Sequence, residues 1–179
     1  MEEIMKGGLK MKIHKILGIL VIIMFSLYEG CGGGKSDATK LSKKHLNLLS
    51  VEDINKVTGN DRKLEKEANL SPDGKEAIVR FFPYGSPLEF IAYRIEKIDD
   101  LKKDYEENLM KCKETGYEIE EIDFLGWGGI EYEVTDREGH PKVIFFWNEK
   151  EKLRINLVAY DISMREAEEL ARIMDRKLR

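Results

Sequence analysis

The sequence contains no glutamine and has only two cysteines, three histidines and four prolines in 179 residues. Two cysteines, Cys31 and Cys112, are too few for the disulfide framework of a small secreted scaffold. The histidines do not have zinc-ligand spacing, and neither an EF-hand loop nor a Gly-x-Ser-x-Gly motif occurs. The sequence therefore predicts no metal, no cofactor and no catalytic residues.

A basic stripe is also missing. The chain carries 30 Lys and Arg against 34 Asp and Glu, for a net charge of −4. This balance argues against nucleic acid as a partner and against adsorption to anionic lipid by charge alone. A composition of 42% hydrophobic and 36% charged residues is globular. Abundant Lys and Glu without glutamine is typical of heat-adapted proteins, although an AT-rich genome would also favour Lys.

One long apolar run is present, over residues 16–27, and it follows the basic residues Lys12 and Lys15. The run suits the core of an export signal and is short for a membrane span, which needs about 20 residues. We predict an export signal over residues 1–30, with either Met1 or Met11 as its start.

The run ends in Tyr28-Glu29-Gly30-Cys31, and glycines follow directly. This segment resembles the signals of bacterial lipoproteins, in which the cysteine receives a diacylglyceryl group and becomes the mature N-terminus. Gly30 and Cys31 match that pattern, whereas Tyr28 and Glu29 depart from its aliphatic and small residues. The resemblance implies lipidation of Cys31, a membrane anchor and an extracytoplasmic domain. An uncleaved signal anchor is the alternative, and it also places the domain outside the cytoplasm.

Residues 31–45 are glycine-rich and then polar, which predicts a flexible tether. Residues 46–179 are predicted to form one α+β domain in the order α-β-β-α-β-β-β-β-α. Short hairpins favour an antiparallel sheet of about six strands with two to three packed helices. Cys112 lies on the apolar face of the middle helix, which predicts a buried, inert thiol. The predicted helices cover residues 51–58, 100–115 and 163–178, and the strands cover residues 76–82, 88–96, 117–123, 130–135, 141–148 and 153–160.

The element order, with the segments LSVEDINKVTG and SMREAEELARIMDRKL, resembles bacterial lipoproteins of PsbP-like α/β sandwich fold over residues 46–178. The resemblance implies a sandwich of this kind for the domain.

Trp127 lies between glycines in the segment LGWGG, and it could be a binding anchor or could fill the edge of the sheet. A second candidate is the strand face opposite Ile91, Tyr93 and Ile95. If no helix covers that face, its apolar residues would form a groove for a lipid, a peptide or a protein. These residues are Phe82, Phe90, Ile144, Phe146, Val158 and Tyr160. The acidic run Glu118, Glu120, Glu121 and Asp123 could supply carboxylates or form a solvated face.

These features favour a non-enzymatic, membrane-anchored lipoprotein that binds a partner protein or a small apolar ligand. One alternative is a hydrolase-like enzyme, which would need acidic residues to converge with His45 or His140 in one pocket. Another is a structural envelope component without a ligand, in which Trp127 is buried and the second sheet face is covered.

Overall fold

A computed structural model describes residues 40–179, which form a seven-stranded antiparallel sheet with three α-helices. The predicted α+β class is confirmed, with one strand more than expected. The strand order across the sheet is β1-β2-β3-β7-β6-β5-β4. The helices are α1 (Val51–Thr58), α2 (Leu101–Glu114) and α3 (Met164–Leu178), and a 3₁₀ turn spans His45–Asn47. The strands are β1 (Leu64–Leu70), β2 (Glu76–Pro83), β3 (Ile91–Lys97), β4 (Ile119–Ile122), β5 (Gly128–Glu133), β6 (Lys142–Asn148) and β7 (Leu153–Ala159).

The predicted export signal, the lipidation residue Cys31 and the first part of the tether lie outside the described residues. Within residues 40–179, none of the helices has the length and apolar character needed to cross a membrane.

Two of the helices begin at capping boxes, at the starts that the sequence predicts for them. The Ser50 hydroxyl accepts a hydrogen bond from the Asp53 amide, and the Asp53 carboxylate accepts one from the Ser50 amide. Ser163 and Glu166 make the same reciprocal pair at the start of α3. These bonds satisfy amides that a helix start leaves unpaired. Gly59 ends α1 with φ of +64°, a left-handed conformation that glycine adopts without steric cost.

The main core lies between one face of the sheet and the pair of helices α1 and α3. Its sheet side includes Phe81, Tyr93 and Phe146, all buried, and its helix side includes Leu170 and Met174. The Tyr93 hydroxyl accepts a hydrogen bond from the Leu48 amide at 3.2 Å and donates one to the His45 carbonyl at 3.3 Å. This one phenol therefore fastens the 3₁₀ turn to the centre of the sheet.

A smaller apolar cluster forms where α2 covers the other face at β5 and β6. Cys112, Ile130 and Trp147 are buried there, with Tyr105 and Leu109 packed against them. The Trp147 Nε1 donates to Asp104 Oδ2 at 2.8 Å, which gives the buried indole its polar partner. The predicted burial of Cys112 is confirmed, and burial raises the pKa of its thiol.

Strand β1 lies within residues 60–74, where the sequence predicts neither a helix nor a strand. Leu64–Leu70 pairs with β2 along its full length, from Leu64 opposite Pro83 to Leu70 opposite Ala77. Its side chains are nearly all exposed. The sequence LEKEANL therefore lacks the apolar face that identifies most strands, and its charges suit an edge that should not pair further.

The first described residues cross one end of the sheet. The Leu41 amide donates to the Gly74 carbonyl in the β1–β2 turn, and Lys44 and His45 contact Glu151 in the β6–β7 turn at 2.5 and 2.8 Å. Leu41 and His45 are buried, so residues 41–45 belong to the packed domain and the tether prediction was wrong for them. We call this end, with the turns at residues 71–75 and 149–152, the proximal end; the other end, with residues 83–90 and 134–141, is the distal end.

Candidate functional site

The β2–β3 turn at the distal end carries the two most exposed large apolar side chains of the described residues. Tyr84 is 75% exposed and Leu88 is 72% exposed. Each lies next to a proline, Pro83 or Pro87, and Gly85 has φ of +74°. We call residues Pro83–Leu88 the tip. Pro83 and Pro87 fix φ at two of its positions, so less entropy is lost when it is bound than in a loop without prolines.

Backbone hydrogen bonds hold the tip in place. The Tyr84 amide donates to the Lys63 carbonyl at 2.9 Å, which ties the tip to the chain before β1. The Ser86 amide donates to the Pro83 carbonyl at 2.9 Å, and the Ser86 hydroxyl accepts from the Leu88 amide at 3.1 Å. The side chains of Tyr84 and Leu88 take no part in these bonds and are left facing solvent.

Two of the predicted contact residues lie beside the tip. Phe82 immediately precedes it, on the sheet face opposite the main core, and is half-buried. The amide of Tyr160, also half-buried, donates to the Phe90 carbonyl at 2.9 Å. The structure therefore brings Phe82 and Tyr160 to the same end of the sheet as Tyr84 and Leu88.

A partly buried ion pair supports this surface. Arg80 Nε and Glu89 Oε1 are 2.9 Å apart, and each side chain is less than a quarter exposed. Burial raises the pKa of Glu89, against the opposing effect of Arg80. Burial also raises the pKa of the Tyr160 phenol, and the nearby Glu89 charge adds to that rise.

Acidic residues outnumber basic ones in the distal loops. The acids are Asp61, Glu89, Glu118, Asp136, Glu138 and Asp161, and the cations are Arg62, Lys63 and Arg137. An apolar tip with an acidic surround is complementary to an apolar surface that has a basic rim.

Three other residues from the predicted second face are in the main core instead. Ile144 pairs with Leu157, which pairs with Tyr93, so all three point toward α1 and α3. Phe146 is fully buried on the same side, and Phe90 is buried beneath the Arg62 guanidinium at 4.1 Å. The strand phase that placed Ile144 and Phe146 opposite Tyr93 was wrong, whereas Phe90 lies just before β3 begins, so strand alternation does not apply to it.

Val158 does lie on the second face, but it is also buried. The predicted six-residue apolar groove is therefore not formed. The alternative considered for the sequence, that a helix covers each face, describes this part of the sheet better, since α2 packs on the second face and α1 and α3 on the first.

Trp127 lies at the proximal end, remote from the tip, and is 42% exposed. Its indole contacts the Tyr105 ring edge-on, with centroids 5.5 Å apart. Its amide donates to the Trp147 carbonyl at 2.8 Å. Trp127 neither reaches the main core nor joins Phe82 and Tyr160.

The histidine arrangement does not favour catalysis. His45 is 2% exposed, its Nδ1 accepts from the Ser42 amide at 2.9 Å, and its Nε2 lies 2.8 Å from Glu151. Nε2 holds residues 42–45 to the β6–β7 turn, and Nδ1 makes a local bond within that segment, so both ring nitrogens are engaged in packing. His140 lies at the other end of the sheet, 3.4 Å from Glu133.

The acidic run is spread along an exposed edge. Glu118, Glu120, Glu121 and Asp123 are all exposed, and Glu121 accepts a hydrogen bond from the Tyr105 hydroxyl at 2.6 Å. No group of three His, Cys, Asp or Glu residues in the described part of the chain could hold a metal ion.

Sequence reasoning missed two buried acids, Glu131 and Asp175, and Glu131 is the one without an ion-pair partner among the described residues. Glu131 is 5% exposed, and its Oε2 accepts no hydrogen bond from the described residues. Burial raises its pKa to about 7, and the charges of Glu168 and Glu120 add to that rise. The alternation of Ile130 and Tyr132 with Glu131 is typical of a strand with one wet face, but β5 is covered by helices on both faces.

The tip was also missed, because Pro-Tyr-Gly-Ser-Pro-Leu reads as an ordinary turn. The signal that could have identified it is a pair of large apolar residues, Tyr84 and Leu88, inside a turn segment. The chain matches no protein-family model, no curated protein and no solved structure.

Proposed function

We propose that this chain is an extracytoplasmic lipoprotein, anchored through Cys31, whose domain binds a partner protein through the tip and the adjoining Phe82 and Tyr160. The proposed binding of a partner protein rests on the exposure of Tyr84 and Leu88. Interface energy is concentrated in a few side chains that enter pockets of the partner, and tyrosine is enriched among them. An aliphatic side chain beside such an aromatic can serve as a further anchor. A restricted loop that presents two such side chains is suited to that role.

A protein partner suits the described surface better than a small apolar ligand. A groove of about 640 Å³ between α1 and α3 is lined mainly by charged side chains, among them Asp53, Lys56, Arg165 and Glu169. Small apolar ligands favour enclosed, largely apolar pockets. The apolar residues of the tip instead project outward, as anchors do.

The position of the tip fits an anchored protein. The described chain begins at Lys40 on the proximal end, and the tip is on the distal end. An acylated Cys31 would therefore hold the domain by the end opposite the tip, which leaves the tip accessible to a partner in the aqueous space.

Cys31→Ser is expected to release the domain from membranes, because two acyl chains hold a protein firmly and the variant cannot carry them. Fractionation and intact mass together test this. The wild-type chain should start at Cys31 and be heavier by its acyl groups, whereas Cys112→Ser should remain membrane-bound. A Cys31→Ser chain that fractionates like the wild type would contradict the lipid anchor and point to the apolar run at residues 16–27.

Tyr84→Ala with Leu88→Ala is expected to weaken partner binding at least tenfold, since interface anchors each contribute more than about 1 kcal/mol.

A photoreactive residue at position 84 should crosslink one envelope protein in intact cells. Purified wild-type domain should compete for that adduct, and the double variant should not. The control is the same photoreactive residue at Met110, which is exposed on α2. The same adduct from position 110, or full competition by the double variant, would contradict the assignment.

A further inference from the structure

Trp127 is held in a fixed position but is only partly covered. Its edge-on contact with Tyr105 and its amide bond to the Trp147 carbonyl set the direction of the indole. The remaining 42% of its surface is open to solvent at the proximal end. Exposed tryptophan is enriched where proteins meet the headgroup region of a bilayer, because its ring is apolar and its N–H is polar.

The proximal end is also where the described chain leads back toward Cys31. Nine peptide steps separate Cys31 from Lys40, a distance of at most about 30 Å when fully extended. A seven-residue strand is about 23 Å long, so the distal end lies a further strand length away. Anchoring at or before Cys31 therefore leaves the proximal end, with Trp127, within reach of the bilayer surface and raises the effective concentration of this loop there.

The charges of the proximal end do not oppose its approach to an anionic lipid surface. The loops of the proximal end carry nearly equal numbers of cations and acids, whereas the domain as a whole is acidic. The cations are Lys40, Lys43, Lys44, Lys75, Lys97, Lys150 and Lys152, and the acids are Asp73, Asp99, Asp100, Asp123, Glu149 and Glu151.

Leu70 adds a second exposed apolar side chain at this end, on the edge strand β1. Neither side chain alone would hold a free protein on a membrane. With the anchor already supplying attachment, even a weak contact is populated.

We propose that the loop Leu125–Gly128 is a lipid-contact site, in which the Trp127 indole lies at the headgroup level of the anchoring membrane. The contact orients the domain with its proximal end on the bilayer and its tip directed away. This inference rests on the membrane anchoring in the proposed function. It does not depend on whether the anchor is acyl chains on Cys31 or the uncleaved apolar run, because both hold Lys40 near the bilayer.

The test uses the presence of just two tryptophans, one exposed and one fully buried. The full chain, purified from membranes, is reconstituted into vesicles of phosphatidylcholine and phosphatidylglycerol, with or without lipid brominated near the headgroup end of its acyl chains. Bromine should remove about a third of the wild-type tryptophan emission, because Trp127 meets the lipid and Trp147 does not. Trp127→Phe keeps only Trp147 and should lose almost none.

Unquenched wild-type emission, or equal quenching of Trp127→Phe, would overturn the lipid contact. Site-specific crosslinks from position 127 to an envelope protein without quenching would overturn it too and assign the loop to a protein interface. The intact mass of the same preparation tests the anchor separately. An unmodified full-length mass together with quenching would contradict the lipidation of Cys31 and support the lipid contact of Trp127. A chain that does not stay on the vesicles overturns both.

Discussion

Gly126→Ala is expected to lower the free energy of unfolding by about 3 kcal/mol. Gly126 has φ of +48°, where an L side chain is strained, and a Cβ at this position would overlap the Trp147 carbonyl oxygen. That oxygen accepts the hydrogen bond from the Trp127 amide, so the loop cannot move outward without losing the bond. Urea unfolding of the two proteins measures the difference.

Gly85→Ala is the matched control, because Gly85 also has positive φ but nothing lies within 4 Å of its added Cβ. Gly85→Ala should lower the free energy of unfolding only by the cost of holding an L residue at positive φ, about 1 kcal/mol. Equal losses from the two variants would show that backbone conformation alone explains the need for Gly126. A larger loss at Gly126 identifies the close approach to Trp147 as the feature that fixes the loop.

The helices could be predicted closely because their signals are local. Ser50 with Asp53 and Ser163 with Glu166 satisfy amides within one turn, so the sequence contains the whole interaction. Strand β1 could not, since its pairing partner is β2 and its own side chains bury almost nothing. An edge strand of this kind is stabilised by hydrogen bonds to its neighbour, which residue periodicity does not report.

The candidate surface could be predicted only in part, for a related reason. Phe82 and Tyr160 follow the expected phase, whereas Phe146 and Ile144 point the other way. Both faces of β6 are apolar because helices cover both. The alternation of polar and apolar residues therefore does not show which side chains of β6 face the main core. Exposure of Tyr84 depends on where the tip lies relative to β1 and β7, which only the assembled sheet determines.

Glu131 is a case in which sequence pattern and environment disagree. Alternation predicts a solvated carboxylate, but α3 covers it and brings Glu168 near, while Arg172 stacks on Phe124 at 3.5 Å and offsets only part of the repulsion. Burial raises the pKa of Glu131 from 4.5 to about 7. Between these pH values the folded protein binds a proton more tightly than the unfolded chain, so stability falls as pH rises through this range.

Glu131→Gln is therefore expected to stabilise the domain above pH 7 by about 2 kcal/mol. This value allows for solvent, which screens the repulsion from the exposed Glu120. Glutamine keeps the side-chain size, removes the charge, and can donate its amide to a neighbouring carboxylate. The wild-type free energy of unfolding should decrease from pH 4.5 to pH 7 more steeply than that of the variant. Urea titrations at several pH values provide both curves.

Glu133→Gln is the control on the same strand, and it should act in the opposite direction. A hydrogen bond from Lys142 at 2.7 Å holds the pKa of Glu133 below its usual range, so the charged form is stabilised by folding. Its loss should reduce stability slightly at neutral pH. If Glu131→Gln kept the wild-type pH slope, the buried carboxyl would not be the group responsible. If both variants stabilised the domain, the cause would be its overall negative charge, since either substitution removes one acid.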